Sequence, residues 1–116
     1  MERDLSSILV SDNSTKEFTI QWEGADFKFK IKELPYVSIS DLISKCVIID
    51  KSGTRIDKAE YMISYLEKAL MEAPWELSKT RMILKRAKSG FAMLIEANIQ
   101  SPFGEEVDDL KKESSQ

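Results

Sequence analysis

A two-residue alternation of apolar and polar side chains, which runs through residues 17–32, constrains the fold of this chain more than any other feature. A period of two is typical of β-strands with one buried face, and its interruption at residues 23–26 predicts a turn between two such strands. A register with Trp22 opposite Phe27 puts every apolar side chain on one face and the lysines on the other. This apolar face consists of Phe18, Ile20, Trp22, Phe27, Phe29 and Ile31. Since a two-stranded sheet is marginal in water, other elements must cover it.

Three segments with the period of amphipathic helices follow the hairpin and can provide that cover. The first runs over residues 38–49, with Cys46 as a small buried residue of its apolar stripe. A polar turn at residues 50–54 separates it from the second helix, residues 57–73, which starts at a capping-box pattern. The third helix runs over residues 78–98.

The predicted fold class is therefore α+β, with an N-terminal β-hairpin packed on three amphipathic helices. We expect a flexible N-terminal arm at residues 1–15, a single domain at residues 16–100 and a disordered acidic C-terminal tail at residues 101–116. A chain of 116 residues is too short for a second core. The formal net charge is -3, and residues 105–116 alone hold five acidic and two basic side chains, so the rest of the chain is neutral.

The inventory of residue types argues against an enzyme. The chain has no His and one Cys, which excludes a Ser-His-Asp triad, a Cys-His pair and a zinc site built on Cys and His. It has no glycine-rich phosphate-binding pattern, and the loop after Asp50 lacks the ligand spacing of a calcium-binding EF-hand. We therefore predict no catalytic residue, no cofactor and no metal. The apolar runs are too short for a signal peptide or a membrane span, which predicts a cytoplasmic protein that does not engage membranes.

Five residues are candidates for contact with a protein partner. Pro74 and Trp75 form an unusual connector between two helices, and Phe103 lies between Pro102 and Gly104 in an otherwise polar segment. Met82 and Met93 fall on the side of the third helix opposite its apolar stripe, where polarizable side chains suit a binding surface. The predicted contact residues are Pro74, Trp75, Met82, Met93 and Phe103.

The start of the third helix supplies an alternative site, because residues 79–88 contain five basic side chains and no acidic one. Arg81, Lys85 and Lys88 lie along one border of the apolar stripe and could contact phosphates. Long cationic side chains also commonly lie at the edge of a buried face, and the folded body is neutral, so nucleic acid is not the expected partner. The alternative function is a small nucleic-acid-associated regulator or inhibitor.

Taken in order, several short patterns make the chain resemble the tail assembly chaperones of tailed bacteriophages and related virus-like tails. The resemblance covers about residues 17–103. It is carried by Trp22-Glu23-Gly24, Phe27-Lys28-Phe29-Lys30, Lys32-Glu33-Leu34, the turn from Asp50 to Gly53, Tyr61 at a helix start, Glu72-Ala73-Pro74-Trp75 and Ile99-Gln100-Ser101-Pro102.

The resemblance implies a non-enzymatic protein of the host cytoplasm that coats hydrophobic helices of the tape-measure protein until tail-tube subunits replace it. The expected partners are then the tape-measure protein and the tail-tube protein, and homo-oligomerisation stays open. Amphipathic helices that can offer an apolar groove agree with this function without being specific to it.

Overall fold

The structure is a computed structural model and describes residues 5–100. Within that range it has a mixed α+β fold with antiparallel sheets, which confirms the predicted class. The elements are β1 (Thr15–Trp22), β2 (Ala25–Lys32), α1 (Tyr36–Lys45), β3 (Val47–Asp50), β4 (Gly53–Ile56), α2 (Lys58–Ala69), β5 (Leu70–Glu72), α3 (Thr80–Arg86) and α4 (Ser89–Glu96), with 3-10 turns at Ser6–Ile8 and Leu77–Lys79. The predicted arm lies partly in this range, and its last residue already belongs to β1. The predicted tail, residues 101–116, lies outside it.

The first hairpin has the predicted faces but not the predicted register. Trp22 pairs with Ala25 and Ile20 pairs with Phe27, so the pairing is displaced by two residues from the expected one. The turn contains only Glu23 and Gly24, which have φ angles of 51° and 82°. Two consecutive positive φ angles define the turn that best matches the twist of the flanking strands. Because the displacement is two residues, every side chain stays on its predicted face.

The second predicted helix is shorter than expected, and a strand replaces its end. Asp57 is confirmed as the N-cap, since its carboxylate accepts a hydrogen bond from the Glu60 amide at 3.0 Å. The return bond of a capping box is not formed, because the Asp57 amide donates to the Cys46 carbonyl. However, α2 ends at Ala69, and residues 70–72 form β5, which pairs antiparallel with β2. The sheet therefore has the order β1-β2-β5. Leu70 stays buried in this strand as it would have been in the helix.

A second hairpin, β3-β4, stands where a helix end and a plain turn were predicted. Val47 pairs with Ile56, and Ile49, expected on the buried stripe of the first helix, is 79% exposed. The helix itself starts at Tyr36, directly after Pro35, rather than at Ser38. Proline suits this position because it has no N–H that would need a partner.

The third predicted helix is two helices, α3 and α4, which are separated at residues 87 and 88. Four α-helices thus occur in residues 5–100, where three were expected. Gly90 lies in the first turn of α4, where an added Cβ would approach Cη2 of Trp22 to 3.0 Å. The small residue therefore lets the tip of the first hairpin pack directly on α4.

The core lies between the three-stranded sheet and α2, with further side chains from α1, α3 and α4. Tyr61, Tyr65 and Ala69 of α2 are almost completely buried. Cys46 is buried as predicted, and this burial raises the pKa of its thiol. The buried hydrophobic residues are Phe18, Ile20, Phe29, Ile31, Leu34, Leu42, Cys46, Tyr61, Met62, Ile63, Tyr65, Leu66, Ala69, Leu70, Leu84 and Ile95.

Candidate functional site

An apolar groove of about 450 Å³ lies where the tip of the first hairpin meets the connector before α3 and the corner between α3 and α4. We call it the aromatic groove. It contains both tryptophans of the chain and is lined by Trp22, Phe27, Trp75, Met82, Ile83, Arg86, Ala87, Lys88 and Phe91. Concave surfaces with rigid aromatic walls are typical of binding sites, since such side chains bury much area at little cost in conformational entropy.

Phe91 of α4 organises one wall of the aromatic groove. Its ring meets Trp22 edge to face, with centroids 5.8 Å apart, and meets Phe27 in the same way at 5.2 Å. Edge-to-face contacts of this kind fix the relative orientation of the rings. All three residues are only partly buried, so one side of the cluster remains accessible.

Trp75 also lines the groove and is held in one orientation. Its indole Nε1 donates to Oγ1 of Thr80 at 3.0 Å, and that hydroxyl donates to the Leu77 carbonyl at 2.8 Å. Thr80 is 1% exposed, and both of its hydroxyl interactions lie inside the fold. The indole also meets Phe29 of the sheet in an edge-to-face contact, with ring centroids 5.4 Å apart. The Trp75 side chain is therefore preorganised rather than free to rotate.

The rim of the aromatic groove is cationic on the side of α3 and α4. Lys88 Nζ lies 3.4 Å from a carboxylate oxygen of Glu23, and both side chains are largely exposed, so this ion pair is weak. Arg86 is exposed and forms no ion pair with residues 5–100. Met82, 54% exposed, lies at the edge of the same surface.

The structure brings together two of the five predicted contact residues. Trp75 and Met82 both line the aromatic groove. Pro74 is exposed next to Trp75 but does not line it, and Met93 is 68% exposed on α4, away from the lining. Phe103 lies outside the described residues. The two methionines were expected on one face of a single helix, and the break at residues 87 and 88 removes that relation.

Sequence reasoning placed Trp22 and Phe27 on the covered face of the hairpin and missed their part in the groove, to which Phe91 of α4 also contributes. Trp22 and Phe27 lie at the tip of the hairpin, which α4 covers only in part. The signal that could have identified them is their position next to the turn, because an apolar strand face is least well covered at its ends.

The three residues of the predicted nucleic-acid surface have different surroundings. Arg81 is bound to α2, with Nη1 at 2.9 Å from Glu60 and Nη2 at 2.6 Å from Glu67. Its hydrogen bond holds the pKa of the Glu60 carboxyl below the ordinary value. Lys85 and Lys88 are exposed. Arg81 therefore joins two helices, and its charge is already balanced by two carboxylates.

A second cleft, of about 360 Å³, lies at the open end of the first hairpin and is organised by Gln100. The Gln100 side-chain oxygen accepts from the Leu34 amide at 2.9 Å and from the Tyr65 hydroxyl at 2.7 Å. Its amide group donates to the Leu34 carbonyl at 3.3 Å, and the Tyr61 hydroxyl donates to the Gln100 carbonyl at 2.9 Å. These contacts fix the point from which the chain continues beyond the described residues.

Residues 5–100 contain no group of three His, Cys, Asp or Glu side chains placed to hold a metal ion. In the same range, none of the helices has the length and apolar character needed to cross a bilayer. No protein-family model, no curated protein and no solved structure matches this chain.

Proposed function

We propose that this protein is a non-enzymatic tail assembly chaperone that binds and shields hydrophobic helices of a tape-measure protein. The single observation that supports this function best is the aromatic groove, which gathers two tryptophans, two phenylalanines and a methionine on one partly exposed surface. An amphipathic helix binds such a groove through apolar side chains spaced three or four residues apart.

The walls and the rim of the groove suit a bound helix. Trp75 and Phe91 are already oriented by contacts inside the fold, so binding does not have to order them. Arg86 and Lys88 place positive charge at one side of the groove. Positive charge stabilises the carboxyl end of a helix, where the backbone carbonyls point outward. We therefore propose that the bound helix places its carboxyl end at this rim.

The identity of the partner rests on the resemblance to tail assembly chaperones, not on the groove. In this proposal several copies of the protein coat one long helical chain, and tail-tube subunits later replace them. The protein acts in the host cytoplasm and uses no cofactor.

Co-expression with a long apolar helical partner tests this function. We expect the wild-type protein to keep the partner soluble in a complex with several copies per partner chain. The change Met82→Asp puts a charge at the edge of the groove and should weaken binding by about tenfold or more, because a buried unpaired carboxylate is costly. Met93→Asp is the matched control, since Met93 is also an exposed methionine but lies outside the lining of the groove.

Two results would contradict this proposal. The wild-type protein could remain alone and monomeric beside a partner that precipitates. Alternatively, Met82→Asp and Met93→Asp could retain the same amount of partner although circular dichroism shows both to be folded.

The alternative function, a small nucleic-acid-associated regulator, is less well supported because Arg81 is engaged by two carboxylates. The exposed side chains of Lys85 and Lys88 are the observation in its favour. It requires DNA or RNA affinity that falls steeply with salt concentration. A binding curve that does not respond to ionic strength would remove it.

A further inference from the structure

We propose that the acidic segment of the same chain, residues 105–116, docks in the aromatic groove and competes there with the partner helix. The competition rests on the proposed function, whereas the docking itself does not. The segment starts five residues after Gln100, where the described part of the chain ends. It would act as a replaceable cover for a surface that is otherwise apolar and partly exposed.

The first argument is complementary charge. Residues 105–116 hold five acidic side chains against two lysines, whereas the groove has Arg86 and Lys88 at its rim. Arg86 forms no ion pair with residues 5–100, and the exposed pair of Lys88 with Glu23 is weak enough to be exchanged for another carboxylate. Arg81, which is already neutralised, is not needed for this contact.

The second argument is that the segment combines acid with an apolar anchor. Its apolar residues are Val107 and Leu110, and Leu110 directly follows Asp108 and Asp109. A leucine that directly follows two carboxylates suits a groove that has aromatic walls and a cationic rim. We assign Leu110 to the groove and the two aspartates to the rim.

The third argument is the length of the tether. Lys16 Nζ donates to the Asn98 carbonyl at 3.0 Å, so the end of the described chain lies beside the start of β1. Trp22, at the groove, lies six residues further along that strand, which corresponds to about 20 Å. Phe103, three residues after Gln100, reaches about 10 Å from it, whereas Leu110 reaches about 34 Å. Leu110 can therefore reach the groove with slack, and Phe103 cannot.

A weak contact is sufficient because the segment belongs to the same chain. A short tether gives an effective concentration of about 1 mM. If the isolated segment binds with a Kd of about 100 μM, the groove is about 90% occupied in the intact protein. A partner helix that needs the same groove then binds about tenfold more weakly than it would to an open groove.

The test uses the full-length chain and the intrinsic fluorescence of its two tryptophans, both of which line the groove. Leu110→Ser in the full chain should open the groove and shift the tryptophan emission. A synthetic peptide with the sequence of residues 104–116 contains no tryptophan, and adding it should return the emission to that of the wild type. The titration should be saturable, with a Kd of about 100 μM that increases with salt. The same peptide with Leu110→Ser is the control and should have no effect.

A groove variant completes the design. With Met82→Asp in the chain, Leu110→Ser should no longer change the emission, whereas with Met93→Asp it should change the emission as in the wild type. The proposal is overturned if Leu110→Ser leaves the emission of the full chain unaltered. It is equally overturned if the control peptide binds as well as the unaltered one, since the attraction would then be one of charge alone. Neither measurement contains a partner helix, so a failure here is separate from a failure of the chaperone function.

Discussion

The sequence predicts Arg81 as part of a binding site, whereas in the structure this residue stabilises the fold. Its guanidinium joins α3 to α2 through Glu60 and Glu67, and Nη2 also donates to Ser64 at 3.2 Å. Removing it leaves two carboxylates close together without their shared partner. Like charges in that position repel each other, so the decrease in the free energy of unfolding exceeds that for the loss of one ordinary surface ion pair.

The change Arg81→Ala should therefore lower the urea midpoint of unfolding clearly. Arg86→Ala is the matched control because Arg86 is an exposed arginine in the same helix without an ion pair among residues 5–100. It should leave the midpoint nearly unchanged. Equal midpoints for the two variants would show that the contacts of Arg81 contribute nothing to stability.

Tyr61 makes stability depend on pH in the alkaline range. Burial raises the pKa of its hydroxyl from the ordinary 10.0 to about 12, with a smaller contribution from neighbouring Tyr65. The folded state holds this proton more tightly than the unfolded state does. The contribution of the Tyr61 hydroxyl to the free energy of unfolding is therefore fully present below about pH 10 and is lost as pH rises through about 12. Thermal melts followed by circular dichroism across this range should show a falling midpoint.

Substitutions identify the group responsible for that loss. Tyr61→Phe should cost about 1 kcal/mol at neutral pH, since the hydrogen bond to the Gln100 carbonyl is lost. It should also make the alkaline decrease in stability shallower, with Tyr65 and Cys46 causing the part that remains. Tyr36→Phe, at a residue that is 84% exposed, should leave the profile as in the wild type. A profile in Tyr61→Phe with the wild-type slope would contradict this assignment.

At the scale of elements, the turn of the first hairpin contains a strained residue that the sequence does not reveal. Glu23 has a φ of 51°, in the left-handed region where long side chains are disfavoured. Asn followed by Gly is the preferred pair for this turn. Glu23→Asn should therefore stabilise the protein by about 1 kcal/mol, because the exposed ion pair that it removes is worth less. Urea unfolding measures the change, with Glu17→Asn in β1 as a control that should not stabilise. A lower midpoint for Glu23→Asn would show that the turn is not strained.

The same turn explains why the faces of the hairpin could be predicted and its register could not. Alternation identifies the buried face, and displacements of two residues leave that face unchanged. The register depends on the turn, and Glu23 gives no sign of a two-residue turn with positive φ. A longer turn at residues 23–26 was therefore equally consistent with the sequence.

The missed strands have a related cause. Val47, Ile48 and Ile49 are β-branched and favour a strand, but Ile49 also continues the helical stripe that ends at Cys46. Short apolar runs of this kind fit either period. Residues 70–72 likewise continue the stripe of α2, and only the free edge of β2 selects a strand there. β3 is decided by pairing with β4 and β5 by pairing with the much earlier β2, and the periodicity of either segment alone does not contain that information.

The candidate site was predicted in part, for reasons of position. Trp75 and Met82 are predictable because a tryptophan next to a proline and a methionine off the apolar stripe are unusual in a sequence. The remaining walls, Trp22, Phe27 and Phe91, look like ordinary core residues. Only the three-dimensional arrangement shows that α4 covers the hairpin tip in part and leaves Trp22 and Phe27 partly exposed.

At the scale of the whole molecule, Gln100 connects parts of the chain that are far apart in sequence. Its hydrogen bonds join the end of the described chain to Leu34, 66 residues away, and to Tyr65, 35 residues away. These contacts hold the chain after α4 against the end of the hairpin and against α2. They also fix the point at which the tether to the acidic segment begins. Gln100 therefore stabilises the fold and positions the segment that we propose to cover the groove.

Gln100→Ala should therefore destabilise the protein by about 2 kcal/mol, because the Leu34 amide and the Tyr65 hydroxyl both lose a partner in a partly buried site. Asn98→Ala is the matched control, since the Asn98 side chain donates only to the exposed Leu94 carbonyl, and it should cost less than about 0.5 kcal/mol. Urea unfolding measures both variants, and hydrogen exchange should show faster exchange of the Leu34 amide in Gln100→Ala alone. Equal stability of the two variants, with unchanged exchange at Leu34, would mean that the fold closes without Gln100. In that case the tether to the acidic segment would begin earlier in the chain, at the end of α4.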